Sequence, residues 1–207
     1  MTRTRLLAAT LLAAVTAGPA PAATTPITQT VWEGRTTDAS GKAAATNATY
    51  VDSASPNTAF GTATTFNTGG TATGLLSFPT LFSDLGLNPA NITITSAKLD
   101  LCVPPSVYAT GGQYAGKTPG VVSMYLAAEN WSETSTYANT GSNGISTGAI
   151  VSNKQATTAH NTYDITAAVL AWQADPTALA RGLVIKTVSG TPVVFASDLF
   201  ANFGLTN

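Results

Sequence analysis

The sequence predicts an all-β fold, a β-sandwich carrying one short helix. Three observations point there. Short apolar runs with period-2 alternation recur along the chain, separated by clusters of Gly, Pro, Asn and Ser. Thr, Ser, Asn and Gly carry the polarity in place of charge, and of these Thr favours extended backbone while the others favour turns. A single segment, residues 164–172, changes to a helical period.

The first residues read as a processing signal. Arg3 and Arg5 form a short positive region, and Leu6 to Ala17 an apolar run too short to span a bilayer comfortably. Ala20-Pro21-Ala22 then offers small residues at the spacing signal peptidase accepts, so residues 1–23 are expected to be a signal peptide cut near Ala22 or Ala23. No second apolar run of spanning length follows, and a secreted chain without a membrane anchor is expected. Residues 24–47 are a polar stretch in which Val31 and Trp32 are the only large anchor, a leading strand plus a loose segment. The rest, residues 48–207, forms the domain. Roughly 185 mature residues can bury about 70% of their unfolded surface in one core.

Within the domain, Thr49–Asp52 is a short strand, followed by turn signals at Ser55-Pro56-Asn57 and Phe60-Gly61. Leu75–Phe78 is the next strand. Pro79 to Asn88 is a connection, and Ile92-Thr93-Ile94 leads into a strand over Ala97–Val103. Its alternation puts Ala97, Leu99, Leu101 and Val103 on one face and Lys98, Asp100 and Cys102 on the other. A Gly-rich loop runs from Pro104 to Gly120, and Val121–Ala128 is a further strand. Thr134 to Ala159 reads mostly as loop, interrupted around Gly148–Ser152. Ile165, Val169 and Trp172 make the helical stripe, with Asp164 or Thr166 as cap and Asp175-Pro176 as terminator. Leu183–Lys186 and Val193–Phe195 close the domain as strands joined by a turn at Ser189–Pro192.

Charged residues make up 9% of the chain, against about 25% in an average soluble protein. Loss of Arg3 and Arg5 would take the formal net charge from −1 to −3. Nucleic-acid and anionic-membrane binding need clustered Lys and Arg, and there is no such cluster. Cys102 is the single cysteine, which excludes an internal disulfide framework; it is expected to be half-covered by a neighbouring loop or sheet. His160 is the single histidine and sits in a polar Thr-rich run without a carboxylate at a suggestive local spacing. No nucleophile elbow, phosphate loop or zinc-binding helix motif is present. Glu129 and Glu133 flank Trp131, but Ser132 and Glu133 read as turn residues satisfying backbone N–H groups. The chain is accordingly read as not an enzyme, with no catalytic residues.

Four segments together resemble the DNRLRE domain, also treated as carbohydrate-binding module family 96. They are Tyr50–Asn57 with Phe60-Gly61; Leu75–Phe78 with Ser96–Leu101; Asn130-Trp131-Ser132-Glu133-Thr134; and Tyr163–Trp172 with Gly182–Ile185 and Phe195–Asp198. The order and spacing hold over residues 48–198. The resemblance implies a jelly-roll-like β-sandwich of a secreted or cell-surface protein. Ala48 stands where the family has Asp, and Ala180-Arg181-Gly182 lacks the family's Asn. The family's closing Pro-Arg-Leu strand is absent, so that strand is either degenerate or replaced by the segment around Val31.

The resemblance further implies binding of a polysaccharide or cell-surface glycan. Sugar-binding modules stack rings on exposed aromatics, and loops carry function more often than core positions do. Trp131 and Trp172 are expected in the core. Tyr108, Tyr114, Lys117 and Tyr137, in loops, are the expected ligand contacts. No cofactor is required; a structural Ca²⁺ would need converging oxygens, for which Asp52, Asp164 and Asp198 are the candidates. A structural surface subunit without a soluble ligand is the alternative, and a small secreted glycan hydrolase the third reading.

Overall fold

The computed structural model describes residues 46–140 and 148–197 in full, together with the backbone of Ala8–Ala14 and Pro26–Trp32. In chain order the strands are β1 (Ala8–Ala14), β2 (Pro26–Trp32), β3 (Asn47–Asp52), β4 (Thr65–Asn67), β5 (Ala72–Ser77), β6 (Thr93–Val103), β7 (Val121–Leu126), β8 (Val151–Gln155), β9 (Ala159–Asp164), β10 (Leu183–Ser189) and β11 (Val194–Ala196). Short helices interrupt them: α1 (Leu81–Asp84), α2 (Pro105–Tyr108), α3 (Tyr137–Thr140), α4 (Thr166–Ala174) and α5 (Pro176–Arg181). One sheet has the order β2-β1-β6-β9, a second β3-β5-β10-β7-β8, and β11 pairs with β4 in a small third. Every ladder between named strands is antiparallel. The expected all-β sandwich is therefore present; its finer jelly-roll winding stays an implication of the resemblance.

Strand β6 shows how the sequence pattern becomes a core. Leu99, Leu101 and Val103 are fully buried, while Lys98 on the other face is exposed. Ile94 is buried too, although its parity is opposite to that of Leu99. The register explains this: Leu12 lies opposite Ser96 and Ala13 opposite Ile94, so Thr95 is an extra residue. Such a bulge resets the alternation. Facing β6, the second sheet contributes Leu76, Met124, Leu183 and Ile185, and Phe66 and Phe195 fill the space between, 5.4 Å apart. Gly182, at φ 69°, opens β10; a Cβ there would stand 2.2 Å from the Leu76 carbonyl oxygen, which excludes a larger residue.

Helix α4 matches the predicted stripe. Ile165, Val169 and Trp172 are buried, and Trp172 lies 6.0 Å from Phe78. The cap differs from the expected Asp164 or Thr166: Ile165 holds the N-cap position without a side-chain cap bond, while Asp164 Oδ1, one residue earlier, accepts from the Thr166 backbone N–H at 3.0 Å and from its hydroxyl at 2.6 Å. Asp175 ends α4 and at once starts α5, accepting from Thr177 N–H at 2.8 Å. A Pro after Asp both stops one helix and begins another.

Three features depart from the sequence reading. Residues 159–164 form a strand rather than loop. The buried Asn161 is fully engaged there: its amide donates to the Thr157 and Ala159 carbonyls at 2.8 and 3.0 Å, and its Oδ1 accepts from Thr157 N–H at 2.8 Å. The three-residue β4 is too short to show alternation. Ala8–Ala14, inside the expected leader, pairs with β2 and β6. The expected leading strand at Val31–Trp32 is the end of β2. No helix among the described residues is long and apolar enough to cross a membrane.

Candidate functional site

Tyr50 lies on β3, at an edge of the five-stranded sheet, and shares a face with the buried Ala48, so its ring packs against the main core from that edge. The following loop turns back on itself. Asp52 Oδ1 accepts from Ala54 N–H at 2.9 Å, and Ser55 N–H donates to the Asp52 carbonyl at 3.1 Å. This Asx turn returns the chain so that Phe60 stacks on Tyr50, with ring centroids 4.1 Å apart and planes 17° apart.

The Asn130–Thr134 turn supports that loop from behind. A Cβ on Gly61 would sit 2.2 Å from the Glu133 carbonyl oxygen, so glycine permits close approach. Ala138 N–H donates to the Pro56 carbonyl at 2.8 Å. Trp131 is half-buried, and its indole N–H donates to the Arg181 carbonyl at 2.6 Å.

Tyr114 arrives from the loop after β6. Its N–H donates to the Val107 carbonyl at 2.8 Å, and its ring lies 5.8 Å from that of Tyr108. Burial first, then the Asp52 carboxylate and then the neighbouring Tyr114 phenol push the Tyr50 hydroxyl up from its ordinary value. Two aromatic pairs thus stand out, Phe60 stacked on Tyr50 and Tyr114 beside the buried Tyr108, with Phe60, Tyr50 and Tyr114 half-buried and the Tyr50 and Tyr114 phenols near enough to interact electrostatically. Gln113 donates to the Tyr114 hydroxyl at 3.2 Å, and the exposed Lys117 follows on the same loop, its N–H donating to the Tyr114 carbonyl at 3.0 Å.

Of the four expected contacts, Tyr114 and Lys117 lie in one loop, Tyr108 is enclosed, and Tyr137 lies on another face. Tyr108 is 6% exposed, not an exposed contact. Its hydroxyl donates to the Pro192 carbonyl at 2.7 Å and accepts from Val194 N–H at 3.3 Å, and burial pushes it up to about 12. Tyr137 lies on α3, half-buried, and packs with Trp131 over Val51 and Leu75. Val51 points opposite to Tyr50 on β3, so Tyr137 belongs to the other face of that sheet. Tyr50 and Phe60 were missed, since Tyr50 reads as an ordinary strand residue and Phe60 as part of a turn.

Of the carboxylates considered for Ca²⁺, Asp52 and Asp164 do not come together. Asp52 and Asp164 lie on different sheets, each engaged in its own turn, and Asp198 lies outside the described residues. Among the described residues no group of three or more His, Cys, Asp and Glu side chains converges to hold a metal.

His160 has a carboxylate partner, and it comes from a distant part of the chain. The β6–β9 register sets Cys102 against His160, and His160 Nδ1 lies 3.3 Å from Asp100. Cys102 is 1% exposed, more deeply covered than expected; burial first and Asp100 second push its thiol up to about 12. A protonated, enclosed thiol is a poor nucleophile. The three residues meet across the β6–β9 ladder.

The family model of carbohydrate-binding module family 96 matches residues 39–199. The chain belongs to that family. Its β-sandwich is thus that of a carbohydrate-binding module, and the matched span covers β3 to β11. A comparison with curated proteins finds no match.

Proposed function

We propose that this module is secreted, acts without catalysis, and binds a polysaccharide or cell-surface glycan on the Phe60, Tyr50 and Tyr114 rings. The observation that carries the reading is the two aromatic pairs, Phe60 on Tyr50 and Tyr114 on Tyr108, which leave three rings partly exposed beside one buried ring. Sugar rings present C–H faces that stack on such surfaces, and Gln113 and Asp52 place hydrogen-bonding groups beside them. The scarcity of Lys and Arg favours a neutral glycan over an acidic one. Among the described residues the large exposed apolar side chains are Leu170 and Val188, one on α4 and one in β10. Among the described residues these two give a structural subunit no broad apolar patch for assembly.

A polysaccharide pull-down with secreted protein, run with calcium and with chelator, tests the reading. Saturable binding in both is expected, since Asp52 and Asp164 do not come together. Folded protein that binds no glycan would transfer the role to a structural subunit. Secretion is tested on the same material: its N-terminus is expected at Ala23 or Thr24, and recovery of intact Met1 from the medium would contradict cleavage.

A further inference from the structure

The expected leader and the sandwich share a sheet. Strand β1 (Ala8–Ala14) stands between β2 and β6 in the order β2-β1-β6-β9. It pairs with β6 over residues 93–100, from Ala14 opposite Thr93 to Ala8 opposite Asp100. Strand β9 covers the other edge of β6 over residues 98–103 only. Among the described strands, residues 93–97 therefore have β1 as their one ladder partner. Ile94 and Ala97 in that half of β6 are buried.

Removal of residues 1–23 takes β1 away and opens two edges, that of β6 and that of β2, whose described ladder is with β1 alone. An open edge is a row of unpaired N–H and C=O groups and a template for another strand. The two edges face each other across one strand width. Neighbouring strands lie about 4.8 Å apart, so β2 reaches β6 by a sideways shift of about that distance. The chain from Trp32 to Asn47 could span about 45 Å at full extension, far more than the shift requires. Both β2 and β6 are antiparallel to β1, so they run parallel to each other. The register favours the exchange. Through β1, Ile27 is level with the buried Ile94, Val31 with the buried Leu99, and Thr30 with the exposed Lys98. Gln29, level with the buried Ala97, is the exception. A slip of one residue would undo this matching.

We propose that leader removal is followed by a strand exchange in which Pro26–Trp32 takes the place of β1 on β6, so that the mature sheet runs β2-β6-β9. The exchange rests on the cleavage proposed above and is independent of the glycan reading. The same edge could take a strand from a second copy of the chain. The tethered strand wins because it is held one strand width away, at an effective concentration of about millimolar, well above that of a second copy at micromolar protein.

Hydrogen exchange read by mass spectrometry on the secreted protein tests this. The N-terminal peptide first shows whether the chain begins at Ala23 or Thr24. In the processed protein, peptides over Pro26–Trp32 and over residues 93–97 are expected to be protected together. Gln29→Pro and Thr30→Pro are then compared, because successive N–H groups of a strand point to opposite edges and one of the two faces β6. That variant should speed exchange in both segments by at least about ten-fold, while residues 49–51, in the β3–β5 ladder, stay as in wild type. Fast exchange over residues 93–97 in processed wild type, or protection indifferent to both proline variants, overturns the exchange and leaves cleavage standing. Protection that disappears on dilution, together with a dimer mass, overturns the tethered strand in favour of a second copy. A secreted chain that retains Met1 overturns cleavage, and the exchange with it.

Discussion

Gly61 is where the fold and the Phe60–Tyr50 pair are joined, and Gly61→Ala tests that junction. The added Cβ would lie 2.2 Å from the Glu133 carbonyl oxygen, 2.4 Å from its Cβ and 2.7 Å from its carbonyl carbon. Ordinary contact begins beyond 3 Å, so the two loops must part by about 1 Å. Two of the three atoms are backbone and cannot rotate aside. Overpacking of this kind costs about 1–3 kcal/mol. Taking about 2 kcal/mol, a module of this size should lose about 4–8 °C in Tm. Because Phe60 is the preceding residue, its stack on Tyr50 should loosen too, and glycan affinity should fall with stability. Gly148→Ala is the control, since its Cβ would meet nothing within 4 Å and should stay within about 0.5 kcal/mol of wild type. Denaturant unfolding measures both. A Gly61→Ala protein as stable as Gly148→Ala, with unchanged affinity, would refute the close approach of the two loops.

Two further outcomes follow from titrating groups. The Cys102 thiol, raised to about 12 from an unfolded value near 9, stays protonated in the folded state after the unfolded chain has lost its proton; folded protein then binds more protons, so stability falls as pH rises from about 9 to 12. Cys102→Ala should therefore close part of its neutral-pH deficit in alkaline buffer, and a deficit independent of pH would contradict this. Its thiol should also resist an aromatic disulfide reagent until the protein is unfolded. Asp164 is lowered, first by the Thr166 hydroxyl and then by the Thr166 N–H, so its contribution is present above the unfolded carboxylate value and is lost as pH falls through the folded one. Asp164→Ala should lower stability at neutral pH, and urea titrations should show that deficit shrinking under acid; a deficit that grows in acid would contradict the Asp164–Thr166 hydrogen bonds.

What the sequence made legible was local. Alternation in β6 and the Ile165–Val169–Trp172 stripe each depend on neighbours within a few residues, and both appear as read. Contacts closed by distant chain were not legible. Tyr108 reads as an exposed loop tyrosine until Pro192 and Val194, more than 80 residues away, enclose its hydroxyl. His160 meets Asp100 only through the β6–β9 register, 60 residues apart. Strand β9 hides because the side chain it buries beside Tyr163 is Asn161, whose burial is tolerated only through hydrogen bonds that composition does not reveal. Phe60 reads as part of a turn, and only the returning loop makes it the partner of Tyr50.

The central claim is that these aromatic pairs bind sugar. Affinity electrophoresis through a neutral polysaccharide, comparing wild type with Tyr114→Ala, tests it most directly. Tyr114 is half-buried, so a folded variant with nearly unchanged Tm is expected, retarded at least about ten-fold less as one stacking face is lost. Equal retardation of the two proteins would contradict the placement of the site on those pairs.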